Sequence, residues 1–231
     1  MQRPPALDLQ WLIQQAGWTP LAAYGVQVAV RFCSADPESA SGGDWYLSMP
    51  LAGGDLLLAV GDVTGHGLAA AAEMVRLRHA MASFAVSCGD PAAILDGLNA
   101  MLCRRGQVTA TAVAARFRPR SGELTWAQAG HLPILVGSAD GVRPLPSPDG
   151  IMLGVAAHAQ FGQAAVCIEP GDFIVLYTDG IVRRREPLDQ GIGRLAALAA
   201  AAGCCPAALL EDVDYGAAGD DACVLVAERV R

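Results

Sequence analysis

Lysine is absent from this 231-residue sequence, and all 16 basic residues are arginine. P-loop NTPases, protein kinases and Schiff-base enzymes each need a lysine at a fixed place in their chemistry, so the sequence excludes these three classes. An excess of positive charge is lacking as well, because the formal net charge is −7. Nucleic acids and anionic membranes attract clustered positive charge. We therefore expect neither as a partner.

No run of residues is suited to crossing a membrane. One long stretch without charge or histidine, residues 195–210, contains Gly203 and Pro206 and is shorter than the ~20 apolar residues of a spanning helix. The Pro-rich start, residues 1–7, lacks the basic and then apolar order of a signal peptide. These absences predict a cytoplasmic protein.

Paired cysteines are missing too. The seven cysteines are an odd number, and no two of them have CxxC spacing. A disulfide framework or a zinc ribbon is therefore not expected. Several of the cysteines lie in apolar runs, where a free thiol behaves as a small hydrophobic side chain.

What the sequence does contain is ample apolar material for one folded domain, with 53% hydrophobic and 17% charged residues. Apolar residues that recur at every second position predict strands, and those that recur at every third or fourth position predict helices. The predicted strands and helices form separate runs, which is typical of the α+β class. The predicted strands are residues 26–32, 45–51, 56–60, 109–117, 124–129, 134–136, 161–168, 173–177 and 222–226. The five strands between residues 109 and 177 are predicted to form a meander. The predicted helices are a lead-in segment at 9–16, an antiparallel pair beginning after Gly67 and at Pro91, and segments 191–202 and 206–210.

Four aspartates stand beside glycines where predicted strands end: Asp44, Asp62, Asp179 and Asp220. Glycine lets the backbone approach closely, so such carboxylates can converge on divalent cations, and a donor set of oxygens favours Mg²⁺ or Mn²⁺. Without cations, mutual repulsion would raise at least one carboxyl pKa, and bound metal would stabilise the fold. Any one of these aspartates could instead be an ordinary turn residue.

A series of ordered motifs gives the sequence a family resemblance. The motifs are Gly-Gly-Asp-Trp-Tyr at 42–46, Gly-Asp-Val-Thr-Gly-His-Gly at 61–67, Ala-Gly-His-Leu-Pro at 129–133, Leu-Gly at 153–154, Tyr-Thr-Asp-Gly at 177–180 and Asp-Asp-Ala-Cys-Val at 220–224. Together they resemble the SpoIIE-like branch of the metal-dependent (PPM-type) serine/threonine protein phosphatases. The resemblance covers residues 24–231 and leaves residues 1–23 as a lead-in helical segment.

The resemblance implies a four-layer α-β-β-α sandwich of two stacked antiparallel sheets flanked by helices. It also implies a site for two Mn²⁺ or Mg²⁺ ions at one end of the sandwich. The matching metal ligands are the side chains of Asp44, Asp62, Asp179 and Asp220 and the carbonyl of Val63. Two such ions would activate a water for attack on phosphorus.

Three further residues have roles that the resemblance leaves less defined. Asp221 follows a matched ligand and would point away from it in an extended segment, so we assign it a supporting position behind the ligands. His66 and His131 lie beside motif glycines. Each is a candidate proton donor to the leaving oxygen, and each could equally fix its loop by hydrogen bonding.

The sequence departs from the family pattern at several positions. Leu47, Gln128 and Cys223 stand where the family often has Asp, Asn and Thr. The three arginines Arg183, Arg184 and Arg185 replace a commonly acidic stretch after Asp179. Such a charge run either forms a solvated surface or attracts an acidic or phosphorylated partner.

These observations favour a Mn²⁺- or Mg²⁺-dependent phosphoserine or phosphothreonine protein phosphatase. The resemblance implies a phosphorylated anti-sigma factor antagonist, a STAS-domain protein of bacterial partner-switching, as its substrate. One alternative is a catalytically weak binding module that sequesters its partner, although an intact set of four aspartates argues against it. Another is hydrolysis of small phosphate esters. The sequence leaves the oligomeric state open, a homodimer included.

Overall fold

The computed structural model describes residues 24–34, 42–106, 108–183, 186–203, 206–214 and 220–230. The lead-in helix predicted at 9–16 lies outside them. Within the described residues the strands are β1 (Val26–Cys33), β2 (Asp44–Pro50), β3 (Leu56–Val63), β4 (Ala110–Arg118), β5 (Glu123–Ala129), β6 (Leu135–Ser138), β7 (Gly141–Pro144), β8 (Ala164–Cys167), β9 (Phe173–Tyr177) and β10 (Ala222–Arg229). The helices are α1 (Gly67–Ser87), α2 (Pro91–Arg105), α3 (Asp179–Val182), α4 (Leu188–Ala202) and α5 (Pro206–Asp212).

The strands that the structure describes form two antiparallel sheets. One has the order β1-β10-β9-β6-β7, and the other has the order β2-β3-β4-β5-β8. The first and last strands of the described domain, β1 and β10, pair along their whole length from Val26 opposite Arg229 to Cys33 opposite Ala222. This pairing closes the domain by joining its two ends.

A hydrophobic core between the sheets holds them face to face. In β3, Leu56, Leu58 and Val60 point into this core, whereas Leu57 and Ala59 point to the opposite face and pack under the helices. Both faces of the strand are therefore buried, which explains its unbroken apolar run. The inter-sheet core also contains Val113, Phe117, Leu124, Trp126, Ile174, Leu176 and Leu225.

Helices cover the outer face of each sheet and give the molecule four layers. Met74, Leu77 and Met81 of α1 pack on the β2-β3-β4-β5-β8 sheet together with α2. On the other sheet, Leu195 of α4 and Leu209 of α5 pack over β9 and β10. Each helix thus buries one apolar stripe, as a surface helix must.

The start of α2 follows from its sequence. Asp90 is the N-cap, and its Oδ1 accepts a hydrogen bond of 2.9 Å from the backbone N–H of Ala93. Pro91 occupies the first turn, where its missing N–H is not needed. The cap therefore separates α2 from α1 at the residues where the sequence predicts a new helix.

The predicted α-β-β-α sandwich of the α+β class is confirmed by this architecture. The expected meander over residues 109–177 is wrong, because the chain changes sheets after β5, returns for β8 and changes again for β9. Two short elements, β7 and α3, were not predicted from the sequence. Both lack an apolar repeat long enough to reveal a period.

Two expected absences can be compared with the described residues. None of the described helices is both long and apolar enough to cross a bilayer. The cysteines that the structure describes are free thiols, namely Cys33, Cys88, Cys103, Cys167 and Cys223.

Replacing a leucine between the sheets tests this arrangement. Leu58 is fully buried, so Leu58→Ala leaves a cavity and should lower the free energy of unfolding by about 2–4 kcal/mol. The matched control is Leu68→Ala, because Leu68 is 75% exposed and its truncation should cost less than about 0.5 kcal/mol. Urea unfolding measures both, and equal losses would contradict the assigned core.

Candidate functional site

Strand pairing brings the first two predicted ligands together. Asp44 at the start of β2 lies directly opposite Asp62 near the end of β3. Residues opposite each other in an antiparallel pair have Cβ atoms about 4.5–5.5 Å apart and share a face. The two carboxyl groups therefore lie side by side, although they are far apart along the chain.

Glycine at position 43 makes room for this pair. The backbone N–H of Val63 donates to the carbonyl of Gly43 at 3.1 Å. A Cβ at position 43 would lie 2.2 Å from the Val63 carbonyl oxygen and 2.8 Å from Asp62 Oδ1. The Val63 carbonyl and the Asp62 carboxylate thus face the same small space, which no side chain can share.

Asp44 is the most deeply buried of the predicted ligands, with 4% of its surface exposed. Its Oδ2 is buried and has no hydrogen-bond partner. Burial, the negative charges of Asp62, Asp221 and Asp179, and an opposing hydrogen bond from the Thr178 side chain leave the Asp44 pKa well above its usual value. A buried carboxylate oxygen with no donor is costly, and a cation is the partner that would satisfy it.

Asp62 experiences the same forces to a smaller degree. Burial, followed by the charges of Asp179, Asp220 and Asp221, raises the pKa of Asp62 to about 7, while Arg183 opposes the rise. The sequence predicted at least one raised carboxyl pKa in this cluster, and the raised pKa values of Asp44 and Asp62 agree with that prediction. The cluster is therefore short of positive charge.

The opposite sheet contributes the remaining aspartates from β9 and β10. Asp179 begins α3 two residues after the end of β9, and Asp220 lies two residues before β10. Thr178 ties these segments together, because its N–H donates to the Cys223 carbonyl at 3.0 Å and its Oγ1 accepts from the Cys223 N–H at 2.9 Å. Since the same hydroxyl bonds to Asp44, Thr178 joins both sheets at the acidic cluster.

Asp221 lies close behind the predicted ligands. It is buried, and its Oδ1 accepts a 3.2 Å hydrogen bond from Ser34 Oγ. A Cβ on Gly42 would fall 1.1 Å from Asp221 Oδ2, so the chain at Gly42 lies against this carboxylate. Asp220 Oδ1 in turn accepts from the Asp221 N–H at 2.9 Å.

The donor set of this cluster fits a hard divalent cation. It consists of carboxylate and carbonyl oxygens, and it includes the orphaned Asp44 Oδ2. Among the described residues, however, no three His, Cys, Asp or Glu side chains are close enough together to hold one ion. Mg²⁺ commonly takes only one or two carboxylates and keeps several waters, so each ion would take few ligands from the protein.

The two predicted histidines differ in their surroundings. His131 Nε2 lies 3.1 Å from the Tyr177 carbonyl, and its Nδ1 lies 2.8 Å from Thr111 Oγ1. A carbonyl only accepts, so Nε2 carries the proton and Nδ1 accepts from the threonine. Burial lowers the pKa of His131 to about 4, which leaves the ring neutral. His66 is exposed and precedes α1 as its N-cap residue, without a side-chain capping bond.

Three of the departures from the family pattern, Gln128, Leu47 and Cys223, have ordinary structural roles. Gln128 Nε2 donates to the carbonyls of Leu132 at 2.6 Å and His131 at 3.3 Å, and so supports the histidine loop. Leu47 packs in the core beneath α1 and α2. Cys223 is buried between the sheets, and burial, with the charge of Asp44, raises the pKa of its thiol.

No sequence pattern indicated Thr178 or Arg183 as an individual residue of the site. Thr178 could have been found from its place in the Tyr-Thr-Asp-Gly motif, directly before a predicted ligand. The Nε of Arg183 donates to Asp179 Oδ2 at 2.9 Å. In the sequence, only the run of three arginines pointed to Arg183. The fold was needed to show that its side chain pairs with the carboxylate of Asp179.

Comparisons with known proteins agree with this fold and with the motifs. The family model described as Stage II sporulation protein E (SpoIIE) matches residues 52–230. The phosphoserine phosphatase RsbU of Bacillus subtilis is 28% identical over 131 residues, which are 55% of this chain and 39% of RsbU. Protein IcfG of Synechocystis is 23% identical over 188 residues, which are 69% of this chain and 30% of IcfG. The chain thus spans less than half the length of these two curated relatives.

Solved structures share the architecture. The RsbU and RsbW domains of Rv1364c from Mycobacterium tuberculosis match with a TM-score of 0.78 and 28% identity, over 89% of this chain and 60% of that one. The catalytic domain of the phosphatase PstP, in complex with 2 manganese ions, matches with a TM-score of 0.63 and 19% identity, over 89% of this chain and 99% of that one. The chain therefore belongs to the SpoIIE family, the branch of the PPM-type phosphatases that its sequence motifs resemble.

Proposed function

We propose that this protein is a Mn²⁺- or Mg²⁺-dependent serine/threonine phosphoprotein phosphatase. The observation that carries the proposal is the buried, partnerless Asp44 Oδ2 within a group of aspartates drawn from both sheets. The kinship with RsbU, a phosphoserine phosphatase, supports the same reaction. Residues 24–231 would form the catalytic domain, acting in the cytoplasm.

Two metal ions would be held by the aspartates and by one carbonyl. The proposed ligands are Asp44, Asp62, Asp179, Asp220 and the main-chain oxygen of Val63. The two manganese ions of PstP support this assignment by likeness of fold. When bound, the ions would orient the phosphate and supply a hydroxide from coordinated water near neutral pH.

The residues around the ligands position them and the substrate. Thr178 fixes Asp44 through its hydroxyl, and neutral His131 links the loop after β5 to the end of β9. His131 has both ring nitrogens occupied and a depressed pKa, so it serves as a positioning residue. His66 is exposed and is the candidate for proton transfer to the leaving seryl oxygen. Asp221 supports the Gly42 turn beside the ligands.

We infer that the substrate is a phosphorylated STAS-domain protein, an anti-sigma factor antagonist. The support is the likeness to RsbU and to the linked RsbU and RsbW domains of Rv1364c. The net charge of −7 offers no attraction to nucleic acid or to an anionic membrane.

Removal of a ligand should abolish turnover. Asp62→Ala or Asp179→Ala should lower Mn²⁺-dependent hydrolysis of p-nitrophenyl phosphate at least about 100-fold, since each would remove a proposed metal ligand. A chelator should do the same to the wild-type protein. The matched control is Asp140→Asn, in the exposed turn between β6 and β7, which should keep full activity. Wild-type turnover that persists in chelator would contradict the mechanism.

Without metal, stability should fall as the pH rises. The Asp62 pKa of about 7 lies above its unfolded value of 3.8, so the folded state holds this proton more tightly, and the resulting stability is lost as pH rises through 7. Asp62→Asn mimics the protonated carboxyl. In chelator it should be more stable than wild type by about 2 kcal/mol at pH 8, and by less at pH 5.

Urea unfolding at the two pH values measures this difference. The control is again Asp140→Asn, which should follow the wild-type pH dependence. Equal pH dependence of wild type and Asp62→Asn would count against a repulsive cluster.

The partner assay separates an enzyme from a binding module. Incubation with Mn²⁺ and a serine-phosphorylated STAS-domain protein should remove its phosphate, as followed by intact mass. The Asp179→Ala variant is the control for spontaneous loss. Tight binding with the phosphate retained would favour the module, and turnover of p-nitrophenyl phosphate alone would favour a small-molecule substrate.

A further inference from the structure

Arg183 holds an unusual place at the edge of the acidic cluster. It follows α3, and its backbone N–H donates to the Asp179 carbonyl at 2.6 Å. Its guanidinium Nε reaches the carboxylate of the same residue, at 2.9 Å from Oδ2. The Arg183 side chain is 70% exposed, whereas that of Asp179 is 24% exposed. The main chain is thus anchored while the charged end lies at the rim.

The charge of Arg183 acts on more than its direct partner. It lowers the pKa of Asp62 as well as that of Asp179, against the effects of burial and of the other carboxylates. Arg183 therefore supplies positive charge to two of the proposed metal ligands. A metal ion bound by Asp179 would take over this role and compete with the guanidinium.

An exposed ion pair of this kind is easily broken. Pairs between exposed side chains contribute only about 0–1 kcal/mol, and the long arginine side chain is free to turn away from Asp179. A phosphate group is a better partner, because the planar guanidinium can donate two parallel hydrogen bonds to its oxygens. A phosphoryl group bound beside Asp62 and Asp179 would lie within reach of the same side chain.

We propose that Arg183 is an exchangeable cation of the site, which pairs with Asp179 in the metal-free protein and binds the substrate phosphate once metal occupies Asp179. The inference rests on the proposed phosphatase function and adds to it a residue that binds the phosphate. It concerns the phosphoryl group itself, so it applies to a phosphoprotein and to a small phosphate ester alike.

Replacing Arg183 should have opposite effects on the binding of metal and on the binding of substrate. Arg183→Gln removes a competing cation, so Mn²⁺ should bind about tenfold more tightly by calorimetry without substrate at low ionic strength. The same change removes a phosphate ligand, so KM for p-nitrophenyl phosphate and for a phosphoserine peptide should rise about tenfold, with a smaller change in kcat. A merely structural role would weaken both kinds of binding.

Two control variants make the test specific. Arg183→Lys keeps the charge without the planar fork, so its Mn²⁺ affinity should stay near wild type and its KM should lie between those of wild type and Arg183→Gln. Arg120→Gln makes the same charge change in the exposed turn after β4. Asp62 pairs with Thr111 near the other end of β4, so this variant should alter neither the Mn²⁺ affinity nor KM.

The outcomes distinguish this proposal from the function on which it rests. If wild type binds Mn²⁺ but hydrolyses neither phosphate ester, the proposed function fails. If wild type is active and Arg183→Gln leaves either Mn²⁺ affinity or KM within twofold of wild type, or weakens Mn²⁺ binding, the role of Arg183 is overturned.

Discussion

The accumulation of negative charge at one end of the sandwich, part of it buried, is the constraint on which the site depends. Asp44 and Asp62 come from one sheet, and Asp179, Asp220 and Asp221 come from the segments around β9 and β10. After burial, the neighbouring carboxylates raise the pKa of Asp44 and of Asp62. Such a cluster opposes folding unless its charge is balanced, and the inter-sheet core is what holds it together.

The backbone approaches the cluster more closely than any residue with a Cβ would allow. At Gly43 the Val63 carbonyl and the Asp62 carboxylate take the space of a side chain, and at Gly180 the Asp221 carbonyl oxygen would lie 1.9 Å from an added Cβ. These glycines belong to the motifs that carry the family resemblance. Their recurrence beside aspartates is therefore a consequence of packing as well as of chemistry.

The site combines a fixed interior with an adaptable rim. Thr178 and His131 have their polar atoms engaged with backbone and side-chain groups, so they can hold ligands in place without exchanging partners. Arg183 and His66 are exposed, and the proposed mechanism uses both at the rim, where metal and substrate would enter. This division suits a reaction in which the charge of the site is set by ions and the phosphate must enter and leave.

The sequence by itself determined the α+β class and most of the strands and helices, because these follow from local periodicity. It also singled out the four aspartates as candidate metal ligands, from their position beside glycine. Only the tertiary structure decided which strands share a sheet, that Asp44 lies opposite Asp62, and that Arg183 meets Asp179. Pairing register and sheet membership depend on contacts between residues far apart in the chain, which no local pattern encodes. The short α3 and β7 also needed the fold, since neighbouring elements, rather than their own few residues, stabilise them.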